Sequence, residues 1–559
     1  MSTTAAPAYP WLEHYPEPVP PTIDVAKLPT LVKIWEESVR LNGSRPAYIS
    51  FGKTLTFDEI NVAARSIGGW LQAQGYRKGD RVALMMPNVM AYPAALFGVL
   101  MAGLTVVNVN PLYTARELTH QINDSGAEVI FALENFAHVV AEALPHTNVK
   151  KVVVVSPGDL LGFKGKIINF VARHIKKVVP PYHLNASVPL AEVLRVGAMA
   201  KLRDVEVGLD DIAFLQYTGG TTGVSKGATL THRNVSANIA QCDAWLGWKV
   251  ASVPDNVMVT ALPLYHIFAL TCCCLYMAKI GAACLLIANP RDIPGFIKTL
   301  RGVRFTMFSG VNTLYNALAN HPDIRSVDFS SMKFSIAGGM ATQSAVAKNW
   351  KTITGCAIIE GYGLSETSPV LCVNRVDLPE FSGTIGYPMP STEISLRDGE
   401  GNEVPAGSPG EICARGPQVM VGYWNRPDET AKAMTPDGFF RTGDVGVFLP
   451  DWTVKVVDRL KDMILVSGFN VYPNEIEEVI TQHPGVLEVA VVGVPDPQST
   501  EAVAAYVVRK DPGLTAEVLR EHCRSSLTPY KVPKVIQFRE SLPKTNVGKV
   551  LRRELRTQA

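Results

Sequence analysis

The sequence predicts an α/β fold. It is expected to comprise a large N-terminal region of α/β subdomains with parallel sheets plus a small β-rich unit, and a small mobile α+β C-terminal domain. Three observations carry this expectation. From Leu31 to about Ile359, short β-branched apolar runs alternate with segments of helical period, the pattern of a parallel sheet covered on both faces. After Thr392 the texture changes to short strands with Gly/Pro turns as far as Val457. A charged break at Asp458-Arg-Leu-Lys-Asp462 then precedes a compact α+β pattern of about a hundred residues, enough for an independent unit. The expected division is therefore 1–458 and 459–559. With 559 residues, several cores are expected rather than one.

The elements follow in order. Leu31 to Leu41 carries apolar residues at helical spacing, and Ala47–Ile49 and Thr54–Phe57 read as strands around a Phe51-Gly52-Lys53 turn. Asp58 resembles a helix cap before Ile60–Gln74. Asp80–Met86 leads into a strand. Val89–Val107 is uncharged and nearly long enough to span a membrane, but Pro93, Gly98 and Gly103 interrupt it, so a buried helix followed by a buried strand is expected. Ala127–Ala132 and Lys151–Val155 extend the β/α alternation. In Leu160–Val179, Ile167, Ile168, Val171 and Ile175 fall on one helical face, and Lys164, Lys166, Arg173, Lys176 and Lys177 crowd the other positions without an acid. Two readings of that segment stand side by side: a basic helix on an anionic membrane surface, and a surface helix docked on its own domain. Ile212–Leu215 reads as a buried strand, with a helix start at Asn234. Val303–Phe308, Phe334–Ala337 and Cys356–Ile359 read as strands, the last two ending in Gly338-Gly339 and Glu360-Gly361-Tyr362-Gly363. Ligands of such folds collect at the carboxyl ends of strands. Beyond the break, Asn474 reads as a cap for Glu475–Gln482, Leu487–Val494 and Ala502–Arg509 as strands, and Thr515–Leu527 as a helix.

Composition narrows the function classes. At 47% hydrophobic and 19% charged residues, the chain is globular rather than disordered. A net charge of +2 gives no electrostatic case for nucleic acid, which is not expected as a partner. The nine cysteines form no CxxC pair, which fits reduced thiols in a cytoplasmic protein and no metal site built on them. Met1–Pro21 has no charged-then-apolar leader.

The chemistry concentrates in Tyr217-Thr-Gly-Gly-Thr-Thr-Gly-Val-Ser-Lys-Gly-Ala-Thr-Leu-Thr231. Gly219, Gly220, Gly223 and Gly227 allow close backbone approach, so that successive N–H groups can form an anion nest. Thr218, Thr221, Thr222 and Ser225 add hydroxyls, and Lys226 adds a mobile charge. A Walker A loop needs Gly-Lys-Ser/Thr, whereas Lys226 here lies between Ser225 and Gly227. Downstream, Gly361-Tyr-Gly-Leu-Ser-Glu-Thr-Ser-Pro369 offers a flat ring at Tyr362 and a carboxylate at Glu366 suited to a hard cation. Asp444, in Phe440-Arg-Thr-Gly-Asp444, suits two vicinal hydroxyls. Read without context, Asp444 is a turn aspartate, Asp458–Asp462 a charged linker, and Pro543–Arg552 a solvated basic tail. Likewise, His266 in Pro263-Leu-Tyr-His-Ile-Phe268 is a core histidine or a site residue.

These motifs, in this order and spacing, resemble the adenylate-forming superfamily of acyl-CoA synthetases, luciferases and peptide-synthetase adenylation domains. The likeness runs from about Leu31 to Arg556. Val466-Ser-Gly-Phe-Asn-Val-Tyr-Pro-Asn-Glu-Ile476 and the basic segment carry a finer likeness to the bacterial long-chain fatty-acid–CoA ligases. The resemblance implies ATP, fatty acid and coenzyme A as substrates and Mg²⁺ as cofactor. It implies ATP contacts at the loop Tyr217–Lys226, Gly338, Gly339, Glu360, Gly361, Tyr362 on adenine, Gly363, Ser365 near the phosphates, and Asp444 and Arg459 on ribose. Glu366 would hold the metal. Lys549, with Lys226 and His266, would serve catalysis, and Lys461 would be the hinge. Ser467 and Gly468 would serve thiolation by CoA. Leu264, Phe268, Leu270 and Val311 would line the acyl pocket. No acid in the Pro263–Phe268 stretch could pair with a substrate ammonium, which argues against amino-acid activation. A carrier-protein acceptor, a luciferase-like oxygenase and a non-catalytic nucleotide binder are the rival classes. Localisation is expected to be cytoplasmic, free or in peripheral contact with the inner face of the membrane. Oligomeric state and chain-length preference are not legible.

Overall fold

A computed structural model describes residues 9–185, 187–218, 225–545 and 548–556. Gly219, Gly220, Thr221, Thr222 and Gly223 lie outside the described residues. Two large, mainly parallel sheets form the bulk of the chain. In one, eight strands run in the order Gly422–Tyr423, Lys226–Thr231, Ile212–Thr218, Thr105–Asn108, Arg81–Met85, Val129–Leu133, Lys151–Val155 and Ser187–Pro189. In the other, nine strands run Tyr387–Pro388, Val370–Val373, Ile358–Gly363, Phe334–Ala337, Met307–Gly310, Val257–Thr260, Ala283–Leu286, Pro46–Ser50 and Lys53–Thr56. Antiparallel strands sit at the edges, as where Val370–Val373 pairs with Ile358–Gly363. One continuous apolar core joins both sheets. The wholly buried helix Ala91–Met101 and the strand Thr105–Asn108 account for the most membrane-like stretch of sequence. No helix among the described residues is long and apolar enough to cross a membrane.

A four-stranded antiparallel sheet of Glu393–Arg397, Gly410–Arg415, Phe440–Phe448 and Val454–Arg459 follows. The remaining sheet is built from Ile464–Val466, Phe469–Val471, Val486–Asp496, Thr500–Arg509 and Val535–Arg539, and it has apolar clusters of its own on both faces. All nine cysteines are free thiols, seven of them buried.

Local signals explain the helix starts better than the sequence reading did. Thr56, not Asp58, caps Phe57–Ala73, because its hydroxyl accepts from the Glu59 N–H while Glu59 returns to the Thr56 N–H. Thr231 caps His232–Val250 in the same way, which moves Asn234 inside the helix. Helix Pro473–Thr481 begins before Asn474, with proline in the first turn. Gly361, Tyr362 and Gly363 belong to the strand itself rather than to a loop after it.

The basic segment is the one for which two readings stood open. It forms a helix over Gly162–Phe170 continuing into a π-helical turn, Val171–Ile175. It docks through small residues: a Cβ on Gly165 would lie 1.9 Å from the Gly158 carbonyl oxygen, and Ala172 is buried. Its large apolar side chains face outward, with Phe163 78% and Ile175 66% exposed and Ile167 and Phe170 about half exposed. Arg173 is the cation tied down, its guanidinium 2.6 Å from the buried Glu134 carboxylate.

Candidate active site

The site sits where the two large sheets, the four-stranded sheet and the loop after Val535–Arg539 converge. Strand Ile212–Thr218 pairs antiparallel with Lys226–Thr231, so Thr218 and Lys226 stand opposite each other and bracket the glycine-rich loop. The Ser225 hydroxyl closes that hairpin by donating to the Thr218 carbonyl, 2.6 Å away. The Lys226 ammonium lies 2.5 Å from the Glu429 carboxylate and 4.9 Å from the centre of the Tyr423 ring. Lys226 and Lys432 together hold the Glu429 carboxyl down at about 2. Tyr217 is fixed by its hydroxyl, which donates to Asp124 at 2.6 Å.

Glu366 is buried and accepts a hydrogen bond from the Tyr423 hydroxyl at 2.8 Å. Burial pushes its carboxyl upward, against the pull of Tyr423, Arg459 and Lys226. Asp444 and Arg459 face each other across neighbouring strands, with 3.1 Å between guanidinium and carboxylate. The Tyr362 hydroxyl donates to the other Asp444 oxygen at 2.7 Å, so the ring and the carboxylate are oriented as one unit. Glu360 accepts from the Thr342 N–H at 3.0 Å, and burial pushes its carboxyl up to about 8.

Lys549 arrives from the far end of the chain. Its backbone N–H donates to the Thr545 hydroxyl, Gly548 takes a left-handed φ of 86°, and the Gly548 carbonyl accepts from the Thr313 hydroxyl at 3.2 Å. The side chain then passes over Gly339, its Cε 3.6 Å from where a Cβ would stand. Burial, and next the Arg459 charge, lower the Lys549 ammonium to about 8. Burial and then the Lys549 charge lower His266 to about 3, so its imidazole is neutral at physiological pH. His266 Nδ1 accepts the Phe268 N–H at 3.4 Å, which assigns the ring proton to Nε2.

One cavity of about 970 Å³ gathers Tyr217, Thr218, Lys226, Gly338, Gly339, Gly361, Tyr362, Gly363, Ser365, Glu366, Arg459 and Lys549 at one end. It then runs past His266 and Phe268 into an apolar arm. Of the expected acyl-pocket residues, Phe268 alone lines this arm. Leu264 and Leu270 are packed in the core, and Val311 meets the Lys549 hairpin at Gly548. The arm is bounded instead by Leu246, Val250, Met258, Met277, Met307 and Phe334. Ser467 and Gly468 form a left-handed turn between Ile464–Val466 and Phe469–Val471, away from the cavity. Lys461, whose ammonium burial lowers to about 8, lies just past Arg459 and outside the cavity wall.

Sequence reading missed Tyr423 and Glu429. Both come from Gly422-Tyr-Trp-Asn-Arg-Pro-Asp-Glu429, where an edge strand pairs with Lys226–Thr231 and a helix follows over Pro427–Ala433. The Gly-Tyr and Arg-Pro pairs in that stretch were the available signal.

Comparison with known proteins agrees with this geometry. A family model described as AMP-binding enzyme matches residues 35–424, and one for the AMP-binding enzyme C-terminal domain matches 475–549. A long-chain-fatty-acid–CoA ligase of Escherichia coli O6:H1 is 51% identical over 551 residues, covering 98% of each chain. The anthranilate CoA ligase AuaEII in complex with anthranoyl-AMP shares the fold with a TM-score of 0.85 at 24% identity, covering 96% of this chain and 99% of that one. ATP-bound MatB from Rhodopseudomonas palustris aligns with a TM-score of 0.80 at 28% identity, over 94% of this chain and 98% of its own. With Lys226, from the glycine-rich hairpin, and the C-terminal Lys549 lining one cavity, and a family model spanning most of the sequence, this chain belongs to the AMP-binding enzyme family.

Proposed function

We propose that this chain is an AMP-forming long-chain fatty-acid–CoA ligase. A fatty-acid carboxylate attacks the α-phosphorus of ATP, giving acyl-adenylate and releasing pyrophosphate. The thiol of coenzyme A then attacks the acyl carbon, giving the thioester and releasing AMP. The observation that carries this reading is the continuity of the cavity, which joins a cation-rich chamber to an apolar arm without a break.

The residues divide the work by chemistry. Lys226 and Lys549 offset the charge that develops as one anion attacks another, a positional and electrostatic role. Neutral His266 can give one hydrogen bond from Nε2 to an acyl or phosphate oxygen. Tyr362 and Asp444, already coupled, would hold adenine and ribose, with Arg459 beside them. Among the described residues, no group of three or more His, Cys, Asp or Glu could cage a metal. Glu366 is a single carboxylate on the phosphate chamber, which fits Mg²⁺ bound mainly through substrate oxygens and water. That ion, when bound, would neutralise phosphate charge. The segment from residue 459 onward would then turn about Lys461, withdrawing Lys549 and admitting the thiol near Ser467 and Gly468.

We also propose peripheral contact with an anionic lipid surface through Gly162–Ile175. Its outward Phe163, Ile167, Phe170 and Ile175 stand among Lys164, Lys166, Lys176 and Lys177 with no acid in the stretch.

The deciding experiment measures pyrophosphate release from purified protein over straight-chain carboxylic acids of increasing length, with and without CoA. Release that requires a long acyl chain, with thioester formed once CoA is present, supports the reading. Activity confined to short or aromatic acids would refute the long-chain assignment.

A further inference from the structure

The apolar arm has a floor, and strand register measures its depth. Phe334, Ile336 and Gly338 alternate along one strand and its continuation, and all three line the cavity, as Met307 and Ser309 do on the next strand. Register sets Met258, Met307 and Phe334 abreast across three neighbouring parallel strands, with Ser309 and Ile336 abreast one step nearer the site. Gly338 and Gly339 end this path at the chamber, where Lys549 Cε lies 3.6 Å from the position a Cβ on Gly339 would take.

The row of Met258, Met307 and Phe334 closes the other end. These residues are only 1–2% exposed, and Asn256, Phe305 and Met332, two places before them, do not line the cavity. Behind the Phe334 ring, 5.8 Å from its centre, sits the Lys249 ammonium, which donates to the Val376 carbonyl. The arm is therefore blind, with three large side chains at its floor and glycines at its mouth.

Two walls give the same depth. Phe334 and Gly338 are four residues apart along a parallel strand, which spans about 13 Å. Opposite them, Cys242, Leu246 and Val250 recur at intervals of four on the regular helix His232–Val250, and that stretch rises about 12 Å. An extended acyl chain advances about 1.3 Å per carbon, because C–C bonds of about 1.5 Å alternate in direction. Roughly ten carbons therefore span the arm, and roughly twelve to fourteen reach from the level of Lys549 to the floor. Two floor residues are methionines, whose unbranched side chains can shift for a longer acid at some cost.

We propose that Met258, Met307 and Phe334 are the residues that determine acyl length, and that straight-chain acids of roughly twelve to fourteen carbons are the substrates this site takes best. The inference rests on the fatty-acid ligase reading above and adds the length of its substrate.

The test measures kcat/KM for CoA-thioester formation by the full-length chain with saturated acids from octanoate to stearate. The expected maximum lies at laurate or myristate, with palmitate and stearate used several-fold less well. Ile336→Phe places a ring about 7 Å nearer the site and should move the maximum to acids roughly five carbons shorter. Phe334→Ala opens the floor and should move it to palmitate or stearate. The position of the maximum is read rather than its height, so a smaller folded fraction does not imitate the effect. A maximum at palmitate or stearate in the unaltered enzyme, or one that either folded variant leaves in place, overturns the proposal. No thioester from any of these acids would instead bring down the fatty-acid ligase reading, and this inference with it. If a variant does not fold, the unaltered protein decides: its KM should fall roughly fourfold per added methylene as far as laurate or myristate and then stop falling. A KM that falls steadily through stearate overturns the proposal.

Discussion

Replacing Arg552 by alanine should loosen the C-terminal sheet and weaken adenylation by more than it weakens thiol transfer. The Arg552 guanidinium sits 2.7 Å from Glu477, 2.9 Å from the Asn474 side-chain oxygen, 3.4 Å from Asp458 and 3.6 Å from Asp462. Its side chain is 17% exposed, and those of Asp458 and Glu477 are 0% and 14% exposed. Burial pushes both carboxyls upward, and Arg552 is the first influence opposing it in each. Removing one partner of such a buried set typically costs about 3–5 kcal/mol, because the remaining charges stay uncompensated. At about 1.4 kcal/mol per decade, hydrogen exchange of Pro473–Thr481 and Val486–Asp496 should speed up roughly a hundred- to several-thousand-fold in the variant. The pH dependence has a definite sign. Without Arg552 the folded-state pKa values of Asp458 and Glu477, already raised by burial, rise further above their unfolded values near 4. The penalty is therefore absent below that range and grows as pH rises through the folded values, so the variant should approach the parent near pH 5 and diverge at pH 7. Asp458 ends a strand of the four-stranded sheet, and Arg552 follows Lys549 by three residues. The same contact thus holds Lys549 in reach of the cavity, and pyrophosphate exchange should fall further than CoA transfer from supplied acyl-adenylate. Exchange rates altered less than tenfold, or a difference independent of pH, would refute this account.

Lys549→Ala should abolish acyl-adenylate formation yet leave thioester formation from supplied adenylate and CoA substantial, whereas Lys461→Pro should show the reverse, since proline fixes φ at the proposed pivot. Half-reaction assays on both variants check this. Because Lys549 is lowered to about 8, kcat/KM for ATP should fall as pH rises through that value and the lysine loses its charge. Lys461 titrates in the same range, so Lys549→Arg identifies the group: the limb should vanish, and its persistence would assign it elsewhere. Glu429→Gln should lower KM for ATP a few-fold at low ionic strength by freeing Lys226, and the gain should shrink with salt, since the pair is about one-third exposed; an unchanged KM would dismiss the competition. Replacing Lys164, Lys166, Lys176 and Lys177 by Gln should weaken binding to phosphatidylglycerol vesicles by about 1 kcal/mol per charge near the surface; equal sedimentation with vesicles would return the segment to a merely docked helix.

What the sequence revealed and what it hid follow from the range of the interactions involved. The strand before the glycine-rich loop and the one leading to Gly361-Tyr-Gly363 were legible because the residues that shape them are neighbours in the chain, although the second strand runs on through those three residues. The partner of Lys226 was not, because Glu429 lies on a helix brought there by an edge strand two hundred residues downstream. The acyl arm failed for a different reason. Leu264 and Leu270 were chosen for apolarity, but direction decides which side chains reach a cavity. From the run Ile267–Lys279, which passes through a π-helical turn at Thr271–Leu275, the cavity takes Phe268, Cys272, Cys273 and Met277, while Leu270 is packed in the core. The basic helix was left with two readings because sequence spacing does not say which side docks: glycine and alanine make the close contact, and the large side chains remain outside.

The charges around the cavity share one logic. Lys226 is paired with Glu429, Arg459 with Asp444, and Arg441 with Glu411, while burial and Arg459 lower Lys549 to about 8. Each cation is thus held in place and kept from paying its full desolvation cost before any substrate arrives. On the proposed function, a triphosphate entering this chamber would take Lys226 from Glu429 and meet Lys549 without dragging either side chain from bulk water. Glu429 and Lys226 are partly exposed, so their exchange is inexpensive. Asp444 is buried and bound to Tyr362 as well, so its pair persists. The pairs therefore divide the site into a loose half at Lys226, which the proposed function would give to the phosphates, and a rigid half at Asp444, which it would give to the nucleoside. In that proposal only one cation has to travel, and Lys549, which no ion pair among the described residues ties to the other charged groups and which the chain's C-terminal end carries, could leave with the pairs Lys226–Glu429 and Arg459–Asp444 in place.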